Sequence, residues 1–140
     1  MLFRSVMPEL DDIGPGQVKR VIICSGKIYY ELLEARRVSR IHDIAILRIE
    51  QLYPFPGEQL DELLAQYVNT DELFWCQEEP KNQGGWDFCK LRIPALINSR
   101  WTLFYAGREP SSAPAVGSAK LHARQQQDII NKALLISEEK

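Results

Sequence analysis

Four short apolar runs, separated by longer segments with helical spacing, constrain the fold of this chain more than any other feature. The runs are residues 21–24, 44–47, 73–76 and 101–106. Between them, apolar residues recur three, four and seven positions apart, as in Leu60, Leu63, Leu64 and Tyr67. Three runs are continuously apolar, which indicates strands buried on both faces. The order β-α-β-α-β-α-β-α therefore predicts an α/β fold, a mostly parallel sheet between helices.

The first residues do not share this pattern. Residues 1–17 contain two prolines, two glycines and three acidic residues, namely Pro8, Pro15, Gly14, Gly16, Glu9, Asp11 and Asp12. Such a composition is typical of a linker or arm. The sequence therefore predicts an arm at 1–17 and one domain at 18–140, which suits a chain of 140 residues.

Charge and cysteine usage exclude several classes of protein. The net charge is −2 and no basic stripe is interleaved with aromatic residues, which argues against a nucleic-acid partner. The sequence contains no long apolar segment of the kind that indicates a membrane span or a signal peptide. The three cysteines are too far apart for a zinc site, and we expect Cys24 and Cys76 to be small core residues.

The stretch 78–86 joins the third run to the next helical segment and is predicted to be a polar, glycine-rich turn. Its adjacent carboxylates, Glu78 and Glu79, are candidates for acid–base chemistry. Neighbours on an extended segment point to opposite sides, so the two do not form a paired dyad. We interpret them as residues that organise a turn or a domain contact. Neither His42 nor His122 lies in a metal-ligand pattern, and we predict no catalytic residue and no metal site.

The loop after the second run contains two prolines around Phe55. Prolines at 54 and 56 stiffen an extended segment. This loop either presents Tyr53 and Phe55 to a partner surface or covers the edge of the core with them.

A cluster near the last helix is the best candidate for a ligand site. Arg108 follows the fourth run, and Ser118 and Lys120 begin the last helical segment. A helix N-terminus between two basic side chains can bind a phosphate or carboxylate. The alternative is simple capping by Ser118, with solvated basic residues around it. A glycine turn at 25–27 offers a weaker site of the same kind.

Several strings in this order resemble one known family. They are VKRVIICSGKIYY at 18–30, RIEQLYPFP at 48–56, WCQEEPKNQG at 75–84 and YAGR at 105–108, followed by matches at 118–122 and 125–128. They resemble the C-terminal domain of thiamine-dependent, succinyl-transferring 2-oxoglutarate dehydrogenases. The resemblance implies a transketolase C-terminal-like fold, a three-layer α/β/α sandwich with a mixed, mostly parallel sheet. Pro94 departs from it locally, because a proline kinks or ends the helix in which it lies.

The resemblance also implies a function for the whole enzyme. Such an enzyme uses thiamine diphosphate and magnesium to decarboxylate 2-oxoglutarate oxidatively, in the tricarboxylic acid cycle, and passes succinyl to lipoamide on a dihydrolipoyl succinyltransferase component. The family's cofactor lies between preceding domains, and its motifs have no counterpart here. The resemblance therefore implies no catalytic or cofactor-binding residue in this chain, which should be inactive alone.

The remaining expectations concern partners and location. The resemblance implies contacts with the preceding domains and a homodimer partner, and a nucleotide or acetyl-CoA-type effector at Arg108, Ser118 and Lys120. It places the protein in a bacterial cytoplasm or a mitochondrial matrix. Two rival hypotheses stay open at this point: a freestanding nucleotide-binding module that uses the same cluster, and a small enzyme that uses Glu78 or Glu79.

Overall fold

The computed structural model describes residues 5–110 and 119–137, which form a five-stranded sheet with helices on both faces. The strand order across the sheet is β1-β3-β2-β4-β5. The elements, in chain order, are β1 (Val6–Met7), a 3-10 helix (Pro15–Gln17), β2 (Arg20–Cys24), α1 (Ile28–Val38), β3 (Ile44–Ile49), α2 (Gly57–Leu64), β4 (Glu72–Pro80), α3 (Trp86–Leu96), β5 (Thr102–Arg108) and α4 (Ala119–Leu134).

The strand pairing confirms the predicted α/β class with a mixed, mostly parallel sheet. Strands β2, β3, β4 and β5 run parallel to one another, and among the described strands only β1 pairs antiparallel, with β3. Cys24 lies opposite Cys76, which in turn lies opposite Ala106. The carboxyl ends of β2, β4 and β5 therefore meet at one edge of the sheet.

The sheet separates two hydrophobic cores and so forms the middle layer of three. Alternate residues of β2 point to opposite faces, so Val21 and Ile23 contact the α2–α3 layer. Ile22 and Cys24 contact the α1–α4 layer instead. Both faces are buried, which is the reason that this strand has a continuously apolar sequence.

The predicted arm is joined closely to the sheet. Val6 of β1 is buried, and the Glu9 carboxylate accepts a hydrogen bond from the backbone N–H of Ile46 at 2.8 Å. Glu9 and Asp11 both form ion pairs with Arg36 of α1, whose side chain is 1 % exposed. The acidic residues of the arm thus neutralise a buried arginine, and one of them accepts a hydrogen bond from the backbone of β3. The domain boundary after residue 17 stays a prediction.

One predicted boundary was wrong. The third apolar run does not end at residue 76, because β4 continues to Pro80 by pairing with β5 as far as Arg108, across a bulge. Glu78 and Glu79 consequently lie on a strand and not in the predicted turn. The helix that contains Pro94 continues for two residues beyond the proline and ends at Leu96.

Candidate functional site

The polar residues at the carboxyl ends of β4 and β5 form an extended hydrogen-bond network. In open α/β sheets, this edge is where ligands commonly bind. Strand β4 contributes Gln77, Glu78 and Glu79, and β5 contributes Arg108. The two strands are hydrogen-bonded neighbours, so these four side chains share one edge.

Gln77 is the centre of this network. Its side chain is buried, with 2 % of the residue exposed. Its Oε1 accepts hydrogen bonds from the Trp75 indole and from the backbone N–H of Trp86, both at 2.9 Å. Its Nε2 donates to three backbone carbonyls of the 79–83 segment, at 2.8–3.1 Å, those of Glu79, Pro80 and Gln83. One amide therefore caps the first residue of α3 and fixes the loop before it.

Two glycines allow this loop to lie close to β4. Gly84 has φ of +68°, and a Cβ there would lie 2.6 Å from Glu79 Oε2. A Cβ on Gly85 would lie 2.7 Å from the ring of Trp75. Position 84 thus requires glycine because of its backbone conformation, and position 85 requires glycine because of close packing.

Glu78 and Glu79 point to opposite sides of the strand, as the sequence predicted. The Glu78 carboxylate accepts a hydrogen bond from Gln126 of α4 at 3.1 Å, whereas Glu79 contacts Gly84 in the loop. Burial raises the pKa of Glu79 above its usual range, and the neighbouring Glu78 carboxylate adds to the effect. These contacts hold the loop and α4 against the sheet edge and do not create a paired acid and base.

The structure describes two of the three residues of the predicted anion-binding cluster, Arg108 and Lys120. Arg108 Nε donates to the backbone carbonyl of Glu78 at 2.7 Å, and Nη1 donates to Gln125 of α4 at 3.4 Å. Lys120 is exposed in the first turn of α4. Ser118 lies outside the described residues. Arg108 therefore joins β4, β5 and α4, and the proposed ligand role of the cluster stays a prediction.

A cleft lies beside this edge, between α1 and α4. Its volume is about 690 Å³, and its lining includes Lys27, Glu31, Glu78, His122 and Gln126. The amide of Gln126 bridges the two facing carboxylates, because Nε2 donates to Glu31 at 2.6 Å and to Glu78 at 3.1 Å. The cleft brings together polar groups from α1, β4 and α4.

Sequence reasoning missed both glutamines, Gln77 and Gln126. The only sequence signal for Gln77 is its position directly after the apolar run 73–76, where a polar side chain enters a buried environment. Gln126 lies in a polar stretch of α4 that gives no such signal.

The proline-rich loop combines the two alternatives left open by the sequence. Phe55 packs against the core on the α2–α3 side. Tyr53 is 77 % exposed, and its ring lies 5.7 Å from that of Phe88. Phe55 thus covers the edge of the core, while Tyr53 is available for a contact with a partner.

The described residues offer neither an exposed thiol nor a cluster of metal ligands. Cys24, Cys76 and Cys89 are free and buried, and burial raises the pKa of both Cys76 and Cys89 to about 12. Over residues 5–110 and 119–137, no group of three His, Cys, Asp or Glu side chains is arranged to hold a metal ion. In that part of the chain, no helix has the length and apolarity that a membrane span requires.

Comparisons with known proteins agree with this architecture. A solved structure described as "Split gene transketolase, inactive beta4 tetramer" matches with a TM-score of 0.57 and 16 % identity, covering 88 % of this chain and 41 % of that one. At this identity the match supports the fold alone, the transketolase C-terminal-like sandwich that the sequence predicted.

Sequence relatives are much more similar. The chain is 47 % identical over 138 residues to the 2-oxoglutarate dehydrogenase E1 component of Azotobacter vinelandii, covering 96 % of this chain and 14 % of the relative. It is 48 % identical over 132 residues to the E1 component of Haemophilus influenzae, covering 94 % of this chain and again 14 % of the relative. The chain thus spans about one seventh of the length of these relatives. The profile of the family described as 2-oxoglutarate dehydrogenase C-terminal matches residues 1–134, and the chain therefore belongs to that family.

Proposed function

We propose that this chain is the C-terminal domain of a 2-oxoglutarate dehydrogenase E1 component. That enzyme oxidatively decarboxylates 2-oxoglutarate and transfers the succinyl group to lipoamide on a dihydrolipoyl succinyltransferase component. The observation that carries the proposal is 47 % identity to such a component over 96 % of the chain. The proposed location is a bacterial cytoplasm, or a mitochondrial matrix if the source is eukaryotic.

Within the enzyme, the domain acts as a support and not as a catalyst. The polar side chains of its sheet edge bind its own backbone: Gln77 holds the loop before α3, and Arg108 holds the carbonyl of Glu78. The described residues include no group of three His, Cys, Asp or Glu side chains that could hold a metal ion. In this proposal the preceding domains hold the cofactor, and the present domain packs against them and against a homodimer partner.

A domain exchange tests the proposal. The C-terminal region of the Azotobacter vinelandii E1 component is replaced by this chain, and 2-oxoglutarate decarboxylation and the oligomeric state are measured. We expect the chimera to be dimeric and to turn over 2-oxoglutarate, whereas the enzyme truncated before this region should be inactive. An inactive chimera beside an active native enzyme would contradict the proposal, as would turnover of 2-oxoglutarate by the purified 140-residue chain alone.

A second candidate function is binding of a nucleotide or acetyl-CoA-type effector. It is favoured by the position of Arg108, which contacts Gln125 in the N-terminal half of α4, the helix that also contains Lys120. Helix N-terminal N–H groups and two basic side chains suit a phosphate. If the chain is a freestanding protein, binding of a ligand at this cluster would be its whole function.

Thermal unfolding with AMP, ATP and acetyl-CoA tests this candidate. Binding should raise the midpoint, and Arg108→Ala and Lys120→Ala should abolish the shift. Arg124→Ala is the matched control, because Arg124 is an exposed arginine of the same helix. No shift at millimolar ligand, or an equal shift in all three variants, would eliminate the effector site.

A further inference from the structure

Residues 5–13 lie along the outer edge of β3, and we refer to them as the strap. The strap includes β1, which pairs antiparallel with β3. Near its start, the Ser5 carbonyl accepts a hydrogen bond from the backbone N–H of Glu50 at 2.7 Å. Further along, the Glu9 carboxylate accepts a hydrogen bond from the backbone N–H of Ile46 at 2.8 Å. The strap therefore covers backbone donors at residues 46 and 50.

Backbone pairing alone is too short to hold the strap. Strand β1 has only two residues, Val6–Met7, whereas strands in globular proteins usually have about 3–10. Burial of the apolar side chains of Val6 and Ile13 adds to the attachment. The charged residues between these two side chains make the remaining contacts, so the attachment of the strap depends strongly on them.

The guanidinium of Arg36 in α1 binds these charged residues. Its side chain is 1 % exposed, and that of Glu9 is 8 % exposed. Nη2 of Arg36 donates to Glu9 Oε2 at 2.6 Å and to Asp11 Oδ2 at 2.9 Å. Arg37, which is exposed, donates to the other oxygen of Asp11 at 2.6 Å. Within the described part of the chain, both carboxylates that pair with Arg36 therefore belong to the strap.

A short exposed segment separates the strap from β2. Residues 14–17 are all exposed and include Gly14, Pro15 and Gly16. The chain is buried again at Val18, shortly before β2. Rotation of the backbone within residues 14–17 can therefore move the strap without displacing Val18 or the sheet.

The contacts of the strap depend on one another because two of them share Arg36. If Glu9 leaves, Arg36 retains only Asp11, whose side chain is 29 % exposed and also binds Arg37. Loss of one partner from a buried ion pair is strongly unfavourable. Departure of the whole strap, by contrast, uncovers the guanidinium and lets water solvate it. A half-open strap is therefore less stable than either extreme, and such segments open in cooperative units.

We propose that the strap opens and closes on the edge of β3 as a single unit, with residues 14–17 as its hinge. The buried Arg36 sets the balance between the two states. In the closed state the strap covers the edge of β3, whereas in the open state the N–H groups of Ile46 and Glu50 lie on an unpaired strand edge. The strap and Arg36 belong to the chain itself, so this equilibrium does not depend on the proposed function.

Native-state hydrogen exchange of the 140-residue chain, followed by NMR, tests this equilibrium. The amides of Ile46 and Glu50 report on different parts of the strap, and the amide of Ile23 in the central strand β2 reports global unfolding. We expect the first two to share one opening constant that is larger than that of Ile23. Unequal opening constants at Ile46 and Glu50, or constants equal to that of Ile23, would overturn the proposal.

Substitution of the strap carboxylates separates a cooperative strap from independent local contacts. Glu9→Gln should raise the opening constants at Ile46 and Glu50 by the same factor, at least about tenfold, although of these two amides Glu9 binds only that of Ile46. Asp11→Asn should also raise both equally, although Asp11 binds neither amide, and it decides the matter if Glu9→Gln prevents folding. The control is Glu34→Gln, an exposed glutamate of α1, which should change both by no more than about twofold. A rise at Ile46 alone, or at neither amide, would overturn the proposal.

Discussion

Replacing Gln77 by leucine should destabilise the domain far more than a typical polar substitution does. Leucine has nearly the same volume as glutamine, so the change creates no large cavity and removes only hydrogen bonds. The indole N–H of Trp75 and the backbone N–H of Trp86 both lose their acceptor, Oε1. Trp75 is 1 % exposed, so water does not replace the lost partner of its indole.

The expected magnitude follows from these two donors. Each buried donor left without a partner costs about 1–3 kcal/mol. Of the three carbonyls that bind Nε2, those of Glu79 and Gln83 belong to half-buried residues and can reach water, whereas that of the buried Pro80 adds to the loss. Gln77→Leu should therefore lower the free energy of unfolding by about 3–5 kcal/mol.

Urea unfolding, followed by tryptophan fluorescence, measures this loss, and amide hydrogen exchange at Trp86 reports the cap of α3 directly. Gln66→Leu is the matched control, because Gln66 is exposed and the same change there should stay within about 0.5 kcal/mol. A loss below about 1 kcal/mol for Gln77→Leu, or unchanged exchange at Trp86, would refute the view that this amide organises the loop.

Three further predictions concern stability and reactivity. Hydrogen bonding from Arg37 holds the pKa of Asp11 at about 2, below the usual 3.8, so its stabilisation is complete above pH of about 4 and is lost as the pH falls towards 2. Urea midpoints of the parent and Asp11→Asn should therefore converge over that range, and a constant difference would contradict this. Gly84→Ala should cost at least about 1 kcal/mol more than Gly26→Ala in the same assay, since both have positive φ but only Gly84 lacks space for a Cβ. The three buried thiols should react with a thiol reagent only after denaturation, and fast labelling of the native chain would contradict their raised pKa values.

The sequence predicted the central strands well because burial on both faces leaves a local signature. Residues 21–24 and 44–47 are apolar at every position. Neither a helix with one buried face nor a half-exposed strand requires such a continuous apolar run. Strand β1 has only two residues, and its burial depends on pairing with the distant β3, so no local pattern identifies it. The same is true of Arg36, whose burial depends on acidic residues in the arm.

The candidate site was predicted less well because it also depends on contacts between distant parts of the chain. Strand β4 continues past Cys76 because β5 pairs with it, and the polar residues 77–79 alone suggest a turn. Gln77 becomes a structural centre only once α3 and the loop fold back over it. Relations between distant parts of the chain determine these features, whereas local composition determines the strands.

The sheet edge directs its polar donors to the protein's own backbone. An open α/β sheet generally offers the carboxyl ends of its strands to ligands. Here the Gln77 amide binds three carbonyls of the loop, the Arg108 guanidinium binds the Glu78 carbonyl, and the Tyr105 hydroxyl donates to the Arg108 carbonyl at 2.8 Å. Donors that are already bound to the protein's own backbone are not available to a substrate, and the same bonds make the edge rigid. The polar groups of this edge therefore hold β4, β5, α4 and the loop before α3 together.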